Sequence, residues 1–175
     1  ASRSITIAQA LLARADLTDR QGYLNARNTL LALLDLDVVP VVNENDVVSI
    51  EEIQDSVIGD NDNLSAQVAN LVDADLLLIL TDTAGLHTSD PRQDNSARLI
   101  EYVERIDSAI EAVAAGQPGS RGTGGMKTKI EAARLATQSG THVVIADGHR
   151  AHVVRDAMRG HSVGTYFTPK TDRLE

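Results

Sequence analysis

Five consecutive aliphatic residues, Leu76-Leu77-Leu78-Ile79-Leu80, stand between Asp75 and Thr81-Asp82. A strand with no polar face belongs in a parallel sheet covered by helices on both sides. The run is far too short for a bilayer, which takes about 20 apolar residues in a helix. Other segments repeat the theme. Ser4 to Leu12 shows β-branched alternation and predicts a strand. Thr18-Asp19 then supplies caps for a helix whose Tyr23, Leu24, Leu30, Leu31 and Leu34 share a face. Val38-Val39-Pro40-Val41-Val42 reads as a buried strand, with Pro40 placing it toward an edge or its first turn. A short helix from Leu64 through Val72 leads to the Leu76 strand.

Beyond it, Leu99, Val103, Ile106, Ile110 and Val113 fall at helical spacing and predict a helix over Ala97 to Ala115, although a short strand near Leu99 fits as well. A second amphipathic helix runs to the stop signal Ser139-Gly140. His142 to Ala146 predicts a strand, Ala151 to Met158 a helix and Val163 to Phe167 a last strand. The alternation implies an α/β fold, a mostly parallel sheet sandwiched by helices.

Composition bounds the function. With 175 residues, 42% of them hydrophobic, the chain has material for one domain or a large part of one. A net charge of −9 argues against nucleic acid as a partner, though an acidic protein binds a nucleotide through a few local cations and a metal ion. Absence of cysteine excludes disulfides, thiolate metal sites and cysteine nucleophiles. No basic-then-apolar leader is present, so the expectation is a cytoplasmic protein with no membrane partner. A chain that opens on a strand after three residues reads as the C-terminal portion of something longer. Leu174-Glu175 has the look of a cloning scar, and 169–175 is set apart as a tail from a domain over 1–168.

The main chemical signal is Arg121-Gly122-Thr123-Gly124-Gly125-Met126-Lys127-Thr128-Lys129. Its glycines let the backbone approach a ligand and leave N–H groups free to point at one anion. Thr128 and Glu131 have the spacing of a capping box, so the positive end of the next helix faces the turn. That environment favours phosphate. A surface loop with two solvated lysines fits the same residues.

Two polar clusters fall where an open α/β sheet binds its ligands, outside the carboxyl ends of strands. They are Asn43-Glu44-Asn45-Asp46 and Thr81-Asp82; Gly59-Asp60-Asn61-Asp62-Asn63 joins them just ahead of a helix. Each alone is ordinary turn and cap chemistry. Competing motifs fail on spacing. A calcium loop opening at Asp60 would need glycine and glutamate where Ser65 and Leu71 stand. No Walker A spacing, dinucleotide fingerprint or Gly-x-Ser-x-Gly elbow occurs. His149 and His152 lack a third ligand nearby and read as surface residues, so no metal site is assigned to the protein.

Taken together, Val41 to Asp46, Gly59 to Ala66, Leu80-Thr81-Asp82 with Gly85-Leu86 and Asp90-Pro91-Arg92, and Gly122 to Lys129 resemble the glutamate 5-kinases of the amino acid kinase superfamily. The resemblance runs in order from about Leu11 to Phe167. It implies a three-layer αβα fold, incomplete at its N-terminus, and transfer of the ATP γ-phosphate to the side-chain carboxylate of L-glutamate. That reaction is the first step of proline synthesis. By position, Asp46, Asn45 and Asn61 resemble glutamate-binding residues. Thr81, Asp82, Thr123, Gly124, Gly125, Met126, Lys127, Thr128 and Lys129 resemble the ATP contacts, with Mg²⁺ accompanying the nucleotide. Lys129 resembles the lysine that neutralises the transferring phosphoryl group, and Asp62 the aspartate that holds the lysines; a helix N-cap is the plainer role for Asp62.

The family also implies a homo-oligomer in the full-length protein and proline as feedback inhibitor. One departure matters. Members carry an early Lys-x-Gly-Ser/Thr segment and a Ser-Gly-Ala segment that hold phosphates and substrate, and neither occurs in these 175 residues. The expectation is a chain that is inactive alone, acting at most as a nucleotide-binding or assembly module.

Overall fold

The computed structural model describes residues 4–45, 61–117 and 125–170, apart from the side chains of residues 14 and 15. The first unit opens with strand β1 (Ile7–Leu12), a short helix α1 (Arg14–Thr18) absent from the sequence expectation, and helix α2 (Arg20–Asp35). Asp19 caps α2 as expected, its carboxylate accepting the Gly22 N–H at 2.9 Å. Strand β2 (Val39–Glu44) returns parallel to β1, with Ile7 opposite Val39 and Leu12 opposite Glu44. Helix α3 (Asn61–Leu71) begins three residues before the expected Leu64. Leu12, Ala26, Leu30 and Leu71 bury the core between β1, α2 and α3. Pro40 does lie on an edge strand, because β1 and β2 form a two-stranded sheet of their own.

The second unit is a four-stranded sheet in the order β3-β5-β6-β4. Strand β3 (Leu76–Thr81) pairs in parallel with β5 (His142–Asp147), Leu76 opposite His142 and Thr81 opposite Asp147. Strand β6 (Gly164–Phe167) runs antiparallel to β5 and parallel to the two-residue strand β4 (Tyr102–Val103). Helices α4 (Ser108–Ala115) and α5 (Met126–Gln138) cover one face, burying Ile79, Val103, Ile130, Val143, Ile145 and Phe167. Helix α6 (Val153–Met158) covers part of the other, against Ala146 and Val163. Helix, sheet and helix make the expected three-layer α/β arrangement.

Three expectations need correction. The aliphatic strand β3 is parallel to β5 and packs on both faces as expected, Leu77 and Ile79 on one and Leu78 on the other, but among the described residues it has one strand neighbour and Leu80 is left 46% exposed. The helix predicted over Ala97 to Ala115 exists only from Ser108. Before it, Leu99 bridges His87 and Val103 pairs with Phe167, so pairing with β6 takes residues whose spacing also suits a helix. The helix starts where Asp107 accepts the N–H groups of Ala109 and Ile110, both at 3.0 Å. Finally, Thr128 and Glu131 form no capping box. Gly125 is the N-cap of α5 and offers no side chain, and Thr128 lies inside the first turn.

Candidate active site

The loop after β3 is seated by glycine. Gly85 has φ of +143°, and a Cβ there would lie 2.5 Å from Thr165 Oγ1 and 2.9 Å from Thr165 N. Thr165 of β6, fully buried, accepts the Leu86 N–H at 2.8 Å. The chain leaving Thr81 and Asp82 is thereby held against the centre of the sheet. Further along, Asp90 accepts from Arg92 N at 3.0 Å and from Gln93 Nε2 at 3.2 Å, and Arg92 Nη2 reaches back to 3.8 Å from Asp82 Oδ2.

Helices α3 and α5 meet at their first turns. Lys129 Nζ lies 3.0 Å from Asp62 Oδ2, the two side chains 13% and 20% exposed. The Thr128 hydroxyl is 2.7 Å from the same carboxylate oxygen and 2.9 Å from the Gly125 carbonyl. A cation in the first turn of a helix opposes the helix dipole, whereas an anion there is favoured. Asp62 at the start of α3 therefore sits well, and its charge offsets the unfavourable position of Lys129. The charge-assisted contact fixes Lys129 where its ammonium reaches the end of β3.

Thr81, Asp82, Arg92, Gln117, Met126 and Lys129 line one small cavity of about 20 Å³, room for about one water molecule. Thr81 Oγ1 donates to Asp82 Oδ1 at 3.3 Å. Beside them, Asp147 ends β5; its carboxyl is held below the ordinary range first by the His149 backbone N–H and then by the His149 ring, with desolvation and, less, Asp82 opposing. Asn61 Nδ2 donates to Asn43 Oδ1 at 3.3 Å and so ties the start of α3 to the end of β2. Asn45 N–H donates to the Leu12 carbonyl at 2.9 Å.

The structure therefore brings Asp62, Thr128, Lys129, Gly125 and Met126 together with Thr81 and Asp82, and keeps Asn61 and Asn45 on the adjoining β2 side. Lys127 stands apart, 71% exposed and 3.8 Å from Glu131. Asp46, Thr123 and Gly124 lie outside the described residues. No group of three His, Asp or Glu side chains suited to a metal ion occurs among the described residues.

Sequence reading missed Gln117. It is 7% exposed, its Nε2 donates to the carbonyls of His87 at 2.5 Å and Val113 at 3.3 Å, and its backbone carbonyl accepts the Met126 N–H at 3.2 Å. It joins the loop after β3 to the ends of α4 and α5. A lone glutamine in a loop carries no signal of such a role. Arg92 belongs to the Asp90-Pro91-Arg92 motif, and its place in the cavity wall appears only in three dimensions.

Comparison with known proteins agrees with this architecture. The amino acid kinase family profile matches residues 1–147. A glutamate 5-kinase of Dehalococcoides mccartyi is 58% identical over 165 residues, covering 94% of this chain and 44% of the relative. One of Herpetosiphon aurantiacus is 53% identical over 171 residues, covering 98% and 45%. The chain thus spans less than half the length of these curated relatives. Among solved structures, the UMP kinase of Bacillus anthracis superposes with a TM-score of 0.61 at 15% identity, over 97% of this chain and 60% of that one. Carbamate kinase from Giardia lamblia, bound to AMP-PNP, gives 0.58 at 24% identity, over 81% and 44%. At such identities the superpositions speak for the fold alone. With the profile covering most of its length and the three-layer fold shared with these kinases, the chain belongs to the amino acid kinase family.

Proposed function

We propose that this chain carries the nucleotide side, and part of the acceptor side, of a glutamate 5-kinase. A side-chain carboxylate oxygen of L-glutamate attacks the γ-phosphorus of ATP, the bond from that phosphorus to the β,γ-bridging oxygen breaks, and ADP and glutamyl 5-phosphate result. No proton has to move. The difficulty is like charge, a carboxylate approaching a phosphate, so positioning and charge neutralisation carry the catalysis. The observation that supports this reading is the Asp62–Lys129 contact at 3.0 Å, in the first turn of α5 and beside Thr81 and Asp82. Lys129 would stabilise charge on the transferring phosphoryl group, and Asp62 would hold it in place.

The N-terminal end of α5, following the glycine-rich sequence that includes Thr123 and Gly124, would receive the phosphates with Lys127 and Thr128. Thr81, Asp82 and Arg92 would face the nucleotide. Asp46, Asn45 and Asn61 would bind glutamate. Mg²⁺ would arrive on the nucleotide, as it usually does, held by phosphates and one or two carboxylates rather than by a protein cage. The place of this reaction at the start of proline synthesis, proline as its inhibitor, a homo-oligomeric full-length enzyme and a cytoplasmic setting all follow from the glutamate 5-kinase reading.

These 175 residues contain no Lys-x-Gly-Ser/Thr segment, which favours a second reading. Loss of one preorganised donor already lowers rate by roughly 10² to 10³, so this chain by itself would bind nucleotide without turnover. Coupled detection of ADP release with glutamate and Mg-ATP, on this chain and on a full-length protein containing it, separates the readings. Turnover is expected from the full-length protein only. In that protein Lys129→Ala should lower kcat by at least about 100-fold while the KM for glutamate changes little. An unchanged kcat would remove Lys129 from the mechanism.

A further inference from the structure

A second hollow lies away from the kinase crevice. It measures about 600 Å³ and opens at the N-terminal ends of β3 and β5, against the sheet face opposite α5. Thr81 and Asp82 stand at the other end of β3, roughly 15 Å away at the usual rise of a strand. The two sites share strands and no residues.

Sheet alternation builds its floor. On β5, Val143 and Ile145 are fully buried under α5, so His142 and Val144 point the other way. Register places Leu76 beside His142, Tyr166 beside Val144 and Tyr102 beside Tyr166. A continuous strip results. The Tyr102 and Tyr166 rings are stacked with centroids 5.8 Å apart at 22°, and His142 stacks on Tyr166 at 5.8 Å and 28°. The Tyr166 hydroxyl lies 2.6 Å from His142 Nδ1, and the Thr168 hydroxyl donates to the Tyr102 hydroxyl at 3.0 Å, so the rings are held by their edges, Tyr166 between its two neighbours and Tyr102 at the open end of the strip. Met158 of α6 forms part of the wall. Met158 and Tyr102 are 71% and 58% exposed, a large apolar area in one place.

The lining carries two carboxylates, Asp75 and Glu101, and two imidazoles, His142 and His161, with neither lysine nor arginine. Phosphates and carboxylates are disfavoured there. Aromatic faces attract cations through their quadrupole, and carboxylates nearby reinforce the choice. A volume of this size, mostly apolar with a few convergent polar groups, is that of a small-molecule site. We propose that this hollow binds a small organic cation, an amidinium or ammonium carried on a flat apolar ring, independently of the nucleotide crevice. The ring lies on the Tyr102–Tyr166 strip and the positive group faces Asp75 and Glu101.

The test uses benzamidine, with benzyl alcohol as the neutral and benzoate as the anionic counterpart. It is run on this chain and on a full-length protein containing it. Binding is read by backbone amide shifts and by tyrosine emission, which is informative because the chain has three tyrosines and no tryptophan. The expected result is saturable benzamidine binding in both proteins, with shifts at Leu76, Val144 and Tyr166, at least about tenfold tighter than benzoate. Asp75→Asn combined with Glu101→Gln should bring benzamidine to within about threefold of benzyl alcohol, and Tyr102→Leu should weaken it about fivefold. Equal binding of benzoate, insensitivity to the charge variant, or absence of saturation in the full-length protein overturns the proposal.

Discussion

Single side chains tune the loops around the crevice more than the strands do. Lys129 stands at the wrong end of a helix for its charge and is kept there by Asp62. Asp94 organises the loop that carries Asp90 and Arg92. Its carboxylate accepts from the Ser89 hydroxyl at 2.6 Å, the Ser96 hydroxyl at 2.6 Å and the Ser96 N–H at 2.8 Å. Those bonds, the Ser89 hydroxyl foremost, lower its pKa from 3.8 to about 2. Because the folded value is the lower one, the folded loop binds fewer protons than the unfolded chain. Its contribution is present above pH 3.8 and is lost as pH falls toward about 2. A carboxyl-carbon titration by NMR should place the Asp94 midpoint near 2, with the Ser89 and Ser96 amide signals moving in step. A midpoint close to the ordinary carboxylate value would contradict the geometry.

At the scale of elements, helix starts are decided by what satisfies the first N–H groups. Helix α4 begins at Asp107 although apolar residues keep helical spacing back to Leu99, because Asp107 caps two N–H groups and Val103 is claimed by β6. Asp107→Ala should cost about 1 kcal/mol, within a range of roughly 0.5 to 2. The change is expected in the denaturation midpoint with the m-value unaltered, and Asp107→Ser should recover most of it. Helix α5 begins differently. Gly125 lends it no side-chain cap, and the Thr128 hydroxyl is shared between Gly125 and Asp62. An N-terminus with its N–H groups uncovered by its own cap residue is what an anion-binding helix offers.

At the scale of the molecule, the described residues cover the β1–β2 sheet on one face only. Ala10, Leu12 and Val42 turn toward α2 and α3, while Ile7, Leu11, Val39 and Val41 stand 65%, 47%, 49% and 50% exposed on the other. A two-stranded sheet with one bare apolar face invites association. This chain alone should therefore self-associate at concentrations of tens of micromolar, detected by sedimentation velocity. Ile7→Lys with Val41→Glu should shift it toward monomer without loss of helical signal. A wild-type chain that sediments as a monomer throughout would show the face to be harmless.

Local pattern was enough to read most of the architecture. The apolar alternation at Ser4 to Leu12 and the periodicity after Met126 each state which face of an element must be buried, the unbroken runs at Val38 and Leu76 mark strands without choosing a face, and Asp19 states where one helix starts. The motifs at strand ends pointed to the kinase family because glycine, asparagine and aspartate at those positions carry backbone and charge chemistry that ordinary turns seldom combine. Tertiary structure alone decided which edges meet: that β6 turns antiparallel, that β3 pairs with β5, that Gln117 ties three segments together, and that Tyr102, Tyr166 and His142 form one strip. The reason is physical. A residue's own neighbours determine its backbone preference and its apolar face, but its partner across the fold depends on how all the faces pack at once. Lys129 and Asp62, 67 positions apart, become a pair only when two helix N-termini are brought to the same end of a sheet.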